Sequence, residues 1–185
     1  MSKTWNHPQL GTFINDTDQD AWVQTCDLPA FNIFTWEVET DEQAGQYDLL
    51  FRKFDGEEPS ATEVALALRV VANQTKLAPL VAHALWEDFN GRGPKSGMWW
   101  HDDMSQIEEN FGYDDRPCPK SPDDLLSAMR FTGVTIREPS EGAAAPLAEL
   151  TFAAVFEEEH CVGILTDGDK IIGTGYMHDV EPFES

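Results

Sequence analysis

Residues 147–178, LAELTFAAVFEEEHCVGILTDGDKIIGTGYMH, decide the fold. Residues 150–156 are apolar and run into an acidic step, Glu157-Glu158-Glu159-His160. Residues 161–165 are apolar again. Thr166-Asp167-Gly168-Asp169 reads as a tight turn, with Gly168 supplying the positive φ that hairpin turns need. Residues 170–176 return with Ile171, Ile172 and Tyr176. Apolar runs bounded by turn residues predict strands packed on a core, here two or three closing in a hairpin.

The opening third predicts more strands. Residues 10–14 form a short first strand, residues 15–20 a polar turn, and residues 21–28, with Trp22 and Val23, its hairpin partner. Residues 31–38, FNIFTWEV, have an aromatic and β-branched strand composition, with one shift of alternation between Ile33 and Phe34 that suggests a bulge. Residues 47–54 supply a fourth strand. Together they make an antiparallel meander.

Helices fill the middle. Ser60-Ala61-Thr62-Glu63 is a capping box, a hydroxyl followed three residues later by a carboxylate. Val64, Leu68 and Val71 then share one stripe. Asn73 is expected to interrupt this helix before a second run through Leu77, Leu80, Val81, Ala84 and Leu85, stopped at Asn90-Gly91. A short helix is expected over residues 104–111. Another follows Ser121-Pro122, with Ser as cap and Pro in the first turn. Residues 133–137 read as a strand, and 138–146 as a Gly/Ala/Pro loop. Strands, then helices, then strands predict an α+β fold: an antiparallel sheet, built of the N-terminal meander plus the C-terminal hairpin, with two to four helices on one face. A chain of 185 residues with no internal repeat and no linker is expected to be a single domain over residues 1–185.

The charge is the strongest bulk signal. Against 12 Lys and Arg stand 34 Asp and Glu, a net charge of −22. Such a surface repels nucleic acid and anionic membrane and favours basic partners, or serves solubility alone. Apolar residues make up 41% of the chain, with six Trp and eleven Phe, enough for a packed core. Cys26, Cys118 and Cys161 are odd in number and show no CxxC spacing, which argues for a reducing compartment. The opening MSKTWNHPQL has no apolar signal region, and no run is long enough for a membrane span. A cytoplasmic location is the expectation.

Four places offer chemistry. Glu157, Glu158, Glu159 and His160 form an acidic tip; Glu157, Glu159 and His160, with His178 folding back, are potential ligands for a divalent metal or acid–base groups. On an unbroken strand Glu157 and Glu159 share one face and Glu158 and His160 the other, which divides the ligands unless a turn intervenes. Trp99 and Trp100, followed by His101, Asp102 and Asp103, combine aromatic anchors with negative charge, as a partner interface would. Asp16-Thr17-Asp18-Gln19-Asp20 starts like a calcium loop, but Ala21 stands where that loop needs Gly, so a hairpin turn accounts for it better. Cys161 beside His160 does not make a dyad, since neighbours on a strand point apart. No nucleophile elbow, zinc-protease helix, phosphate loop or dinucleotide fingerprint is present in the sequence.

The run from Phe156 to Leu165 resembles the WDxEHGxGV signature of a family of uncharacterised bacterial domains. Glu159, His160 and Gly163 match it; Phe156, Glu157 and Cys161 stand where that pattern has Trp, Asp and Gly. Leu10-Gly11-Thr12-Phe13, followed by Trp22, is similar to the start of the same family. The resemblance implies a small α+β domain and relatives of the toxin-immunity type. The leading expectation is therefore a non-enzymatic acidic protein that binds a basic, nuclease-like protein through Glu157, Glu158, Glu159, Trp99, Trp100, Asp102 and Asp103. A metal-dependent hydrolase using the tip, and an acidic mimic of nucleic acid, are the alternatives.

Overall fold

The structure, a computed structural model, describes residues 3–36, 45–53, 56–94, 104–113, 115–139 and 145–183. Among these, eight strands form one sheet in chain order: β1 (Thr4–His7), β2 (Gly11–Asp16), β3 (Ala21–Asp27), β4 (Gln46–Arg52), β5 (Met129–Arg137), β6 (Leu147–Ala154), β7 (Glu157–Thr166) and β8 (Ile171–Tyr176). Three helices lie between β4 and β5: α1 (Ala61–Phe89), α2 (Met104–Tyr113) and α3 (Pro122–Leu126). This is the expected α+β fold, with an N-terminal meander and a C-terminal hairpin. One strand pair departs from it: β4 and β5 run parallel. A return through a long helix delivers a strand in the same direction as the one it left, whereas the short turns elsewhere reverse it.

The inner face of the sheet carries the core. Trp22 pairs with Phe51, and Phe51 with Ile136; Leu49 pairs with Val134, Val134 with Leu150, and Leu150 with Ile164. Against these lie Leu66, Val70, Leu77, Val81 and Leu85, the buried stripe of α1. Trp5, Phe13 and Phe51 add an aromatic group at the meander end, with Trp5 and Phe13 centroids 4.9 Å apart.

Helix α1 begins at the predicted capping box. The Ser60 backbone N–H donates to Glu63 Oε2 at 2.7 Å, and the Glu63 N–H donates back to Ser60 Oγ at 3.4 Å. The interruption expected at Asn73 from the sequence does not occur: α1 is one helix of 29 residues that runs on through Pro79. Asn73 serves tertiary contact instead: its amide donates to Gly168 O at 2.8 Å and Asp169 Oδ1 at 3.1 Å, in the β7–β8 turn.

The strand expected at residues 31–38 is also corrected. Pro29–Ile33 is a 3-10 turn, Phe34 is extended, and residues 37 and 38 fall outside the described residues. Leu28, Phe31 and Phe34 are buried at a spacing of three, the period of a 3-10 turn, and Pro29 opens it at its fixed φ. Aromatic composition imitates a strand there without a strand's period.

Lys53, just after β4, ties the layers together. Its ammonium lies 2.9 Å from Glu63 Oε1 and 2.8 Å from Glu138 Oε1, with Lys53 and Glu63 both buried. Burial alone would lower the Lys53 pKa; the hydrogen bonds and charges of Glu138 and Glu63 outweigh it and hold the pKa above its ordinary value. Burial would likewise raise Glu63, but Lys53 and Ser60 outweigh it and hold the carboxyl below its ordinary range.

Candidate functional site

The outer face of the sheet, away from α1, is where the molecule divides. Strand pairing sets one row of side chains across it: Ile14 beside Val23, then Leu50, Thr135, Glu149, Leu165 and Gly173. Exposure falls along that row. Ile14 is 53% exposed, Val23 and Leu50 are half-buried, and Glu149 and Leu165 are each 1% exposed.

The cause is the C-terminal segment after β8. It turns back over β7 and β8, where Gly163, Gly173 and Gly175 leave room for it. A Cβ on Gly163 would sit 3.0 Å from Val180 Cγ1, and one on Gly173 would collide with the Glu181 carbonyl oxygen. Val180 is 2% exposed on this glycine bed. Arg137 donates to Val180 O at 2.8 Å, and the Phe183 N–H to Ile172 O at 2.7 Å, so the segment is a strap fixed at two points.

Glu149 lies under the strap. One carboxylate oxygen accepts the His178 backbone N–H at 2.6 Å; the other is 3.7 Å from His178 Nδ1 and 4.0 Å from the Arg137 guanidinium. A buried carboxylate needs such partners to offset lost hydration. His178 is held at φ 74°, a left-handed conformation uncommon for a residue with a side chain. Its ring accepts from Arg52 Nη2 at 3.3–3.4 Å. Here, at the boundary between strapped and bare sheet, Asp18, Gln19, Asp20, Leu50, Arg52, Thr135 and His178 line a cleft of about 370 Å³. Beside it a shallow groove over β2 and β3 is lined by Thr12, Ile14, Asp16, Val23, Gln24 and Thr25. Asp16 is committed to its own turn: it accepts from the Gln19 side chain at 2.8 Å and the Asp18 N–H at 2.9 Å, which lower its pKa. That is the hairpin-turn reading of the acidic loop.

The tip is built differently. Glu157 is 9% exposed, and its Oε1 accepts both the backbone N–H and Nδ1 of His160 at 2.9 Å. The β6–β7 register shifts between the pairs Phe152–Val162 and Ala154–Glu157, which leaves residues 158–161 out of regular pairing, so Glu157 and His160, which an unbroken strand would place on opposite faces, meet. The His160 ring lies 4.9 Å from that of Tyr176, whose phenol is pushed up to about 12 by burial and the charges of Glu157 and Glu159. Glu158 and Glu159 are exposed. His178 does not join this group; its partners are Glu149 and Arg52. Among the described residues, no three His, Cys, Asp or Glu side chains converge as a metal ion requires. The Cys161 thiol is held above its ordinary range by burial and by Glu157, away from thiolate character. Trp99, Trp100, Asp102 and Asp103 lie outside the described residues.

Comparison with known proteins finds no matching family model and no significant similarity to a curated protein or a solved structure. The family resemblance thus rests on these residues alone: Glu159, His160 and Gly163, and Leu10-Gly11-Thr12-Phe13 with Trp22. Among the described residues, no helix is long and apolar enough to cross a membrane.

Glu149, Arg52 and Ile14 are the positions that sequence reasoning missed. Glu149 did carry a signal: it is a single carboxylate inside the apolar run LAELTFAAVF. A charge at a core position marks a partnered, buried group. Ile14 carried none, because an apolar residue in a strand reads the same on either face until the covering layer is known.

Proposed function

We propose that this chain is a binding protein for a basic protein, and that it docks that partner on the bare outer face of the meander. The observation that carries the reading is Ile14, 53% exposed in a row whose other end is dry. Val23 and Leu50 extend it as an apolar strip, and Asp16 and Asp48 lie on the same face with Asp18 and Asp20 at its end. An apolar centre with an acidic rim suits a partner that offers an apolar anchor surrounded by Lys and Arg. The net charge of −22 adds long-range steering, which raises the association rate and falls with salt. The resemblance to toxin-immunity relatives makes a nuclease-like toxin the partner class to look for, with this chain covering its cationic substrate-binding surface.

The test is capture from a lysate of the native host at low and high salt, by the native chain and by the variant Ile14→Lys. A basic protein retained by the native chain, weakened by salt and lost with Ile14→Lys, supports the reading. A partner held equally by both chains, or an affinity indifferent to salt, contradicts it.

A further inference from the structure

The cleft at the end of the strap carries charges of both signs that do not neutralise each other. Arg52 and His178 line it, and so do Asp18 and Asp20. Yet among the described residues no carboxylate lies within 4 Å of the Arg52 guanidinium. The contrast with Lys53, which holds two carboxylates at 2.8–2.9 Å, is direct. Among the described residues, Arg52 donates from its side chain to the His178 ring alone, from one nitrogen, which leaves most of its five N–H donors for a ligand.

The arrangement is also held in place from beneath. Glu149, 1% exposed, grips the His178 backbone N–H at 2.6 Å and fixes the residue at φ 74°. That conformation turns the imidazole toward Arg52. Strained backbone that the surroundings over-determine occurs preferentially at ligand sites. Thr135, 5% exposed, adds a hydroxyl to the lining, and Leu50 an apolar wall. The volume of about 370 Å³ falls in the range of small-molecule sites.

We propose that this cleft binds a free α-amino carboxylate, an amino acid or short peptide, with its carboxylate on Arg52 and its ammonium toward Asp18 and Asp20. A ligand bearing only negative charge would gain Arg52 but face two carboxylates and a strongly acidic protein. A ligand bearing only positive charge would face Arg52. A zwitterion meets both ends, and the planar guanidinium suits a carboxylate in two-point contact. Glu149 is a positioning residue: it holds His178, which in turn orients Arg52. The cleft shares Leu50, Asp18 and Asp20 with the proposed docking face, but its test uses small molecules and this chain alone, so its outcome does not depend on a protein partner.

The experiment uses the full chain and follows melting temperature and backbone amide shifts with each common free α-amino acid in excess. The same amino acids are added as N-acetyl derivatives, which lack the cation, and as amides, which lack the anion; inorganic phosphate is the control for an anion alone. The expected result is a raised melting temperature with at least one amino acid, with shifts centred on Arg52, His178 and Asp20. Both blocked forms should give a markedly smaller effect, and the effect should vanish in Arg52→Gln, a surface variant that leaves the core intact. No response to any amino acid overturns the proposal. So does an equal response to the N-acetyl form or to phosphate, or a response that survives in Arg52→Gln. Glu149→Gln should shift the His178 amide and weaken the same ligand, because Arg52 loses the partner that orients it.

Discussion

The two halves of the outer sheet face differ in what covers them, although one row of side chains crosses both. Under the strap the row holds Thr135, Glu149, Leu165 and Gly173, all buried, with three glycines in β7 and β8 making room for Val180 and Glu181. Over the meander the row holds Leu50, Val23 and Ile14, increasingly open, and no chain among the described residues lies across it. A protein that needed only a second covering layer would extend it. Here the covering stops at His178, and the sheet beyond remains apolar with an acidic rim. That uncovered apolar strip is the ground of the proposed docking face.

The sharpest way to break the comparison is at the buried charge. Glu149→Ala removes the acceptor of the His178 N–H and the carboxylate beside Arg137, and should cost about 3–5 kcal/mol, the range for breaking a buried charged pair. Denaturant unfolding measures it, and an effect below about 1 kcal/mol, typical of exposed pairs, would mean that Glu149 is hydrated. Filling the glycine bed should come next. In Gly163→Ala the new Cβ meets Glu149 Oε1 at 2.7 Å and Val180 at 3.0 Å, so the strap must lift, for about 1–3 kcal/mol. Proteolysis after Met177 should accelerate in the same variant; an unchanged cleavage rate would show that the strap is not seated by close packing.

Acid probes the inner layer. The Glu63 pKa is lowered in the folded state, so its contribution is fully present above its unfolded value of 4.5 and is lost as pH falls through the lower folded value. Unfolding free energy of the native chain should exceed that of Glu63→Gln by a constant amount from neutral pH to about 4.5, and the two should converge below it. Divergence instead of convergence would contradict the ion pair with Lys53. The smallest stability effect belongs to the bare face. Ile14→Lys should change stability by less than about 0.5 kcal/mol, as a surface substitution does, while removing partner capture. A large loss of stability would place Ile14 in a packed layer and remove the interface reading.

Much of the fold was legible because local chemistry agreed with it. The capping box at Ser60 and Glu63, the stop at Asn90-Gly91, the Ser121 cap and the turn around Gly168 all stand where sequence rules place them. Failures came where a local signal had two physical meanings. Phe31, Phe34 and Trp36 have strand composition, but the spacing of Leu28, Phe31 and Phe34 is that of a 3-10 turn. Asn73 is a poor residue for a helix interior, yet its amide binds the β7–β8 turn. Strand β1, TWNH, is too short and polar to show a period, and only pairing with β2 reveals it. The candidate site was less legible still. Its members lie on β2, β3 and the turn between them, on β4, β5 and β6, and on the strap, far apart in sequence, and the strap's path rests on glycines whose role appears only with Val180 above them.

Hydroxyl-radical footprinting of the chain with a captured partner tests the proposed docking face most directly. Side-chain oxidation would be compared in the free and bound chain at Ile14, Val23 and Leu50, at His160 on the tip, and at Trp99 and Trp100. The account predicts strong protection of Ile14 with Val23 and Leu50, and unchanged oxidation of His160. Protection confined to His160 or to Trp99 and Trp100, with Ile14 oxidised as in the free chain, would contradict it and return the interface to the acidic tip or the tryptophan pair.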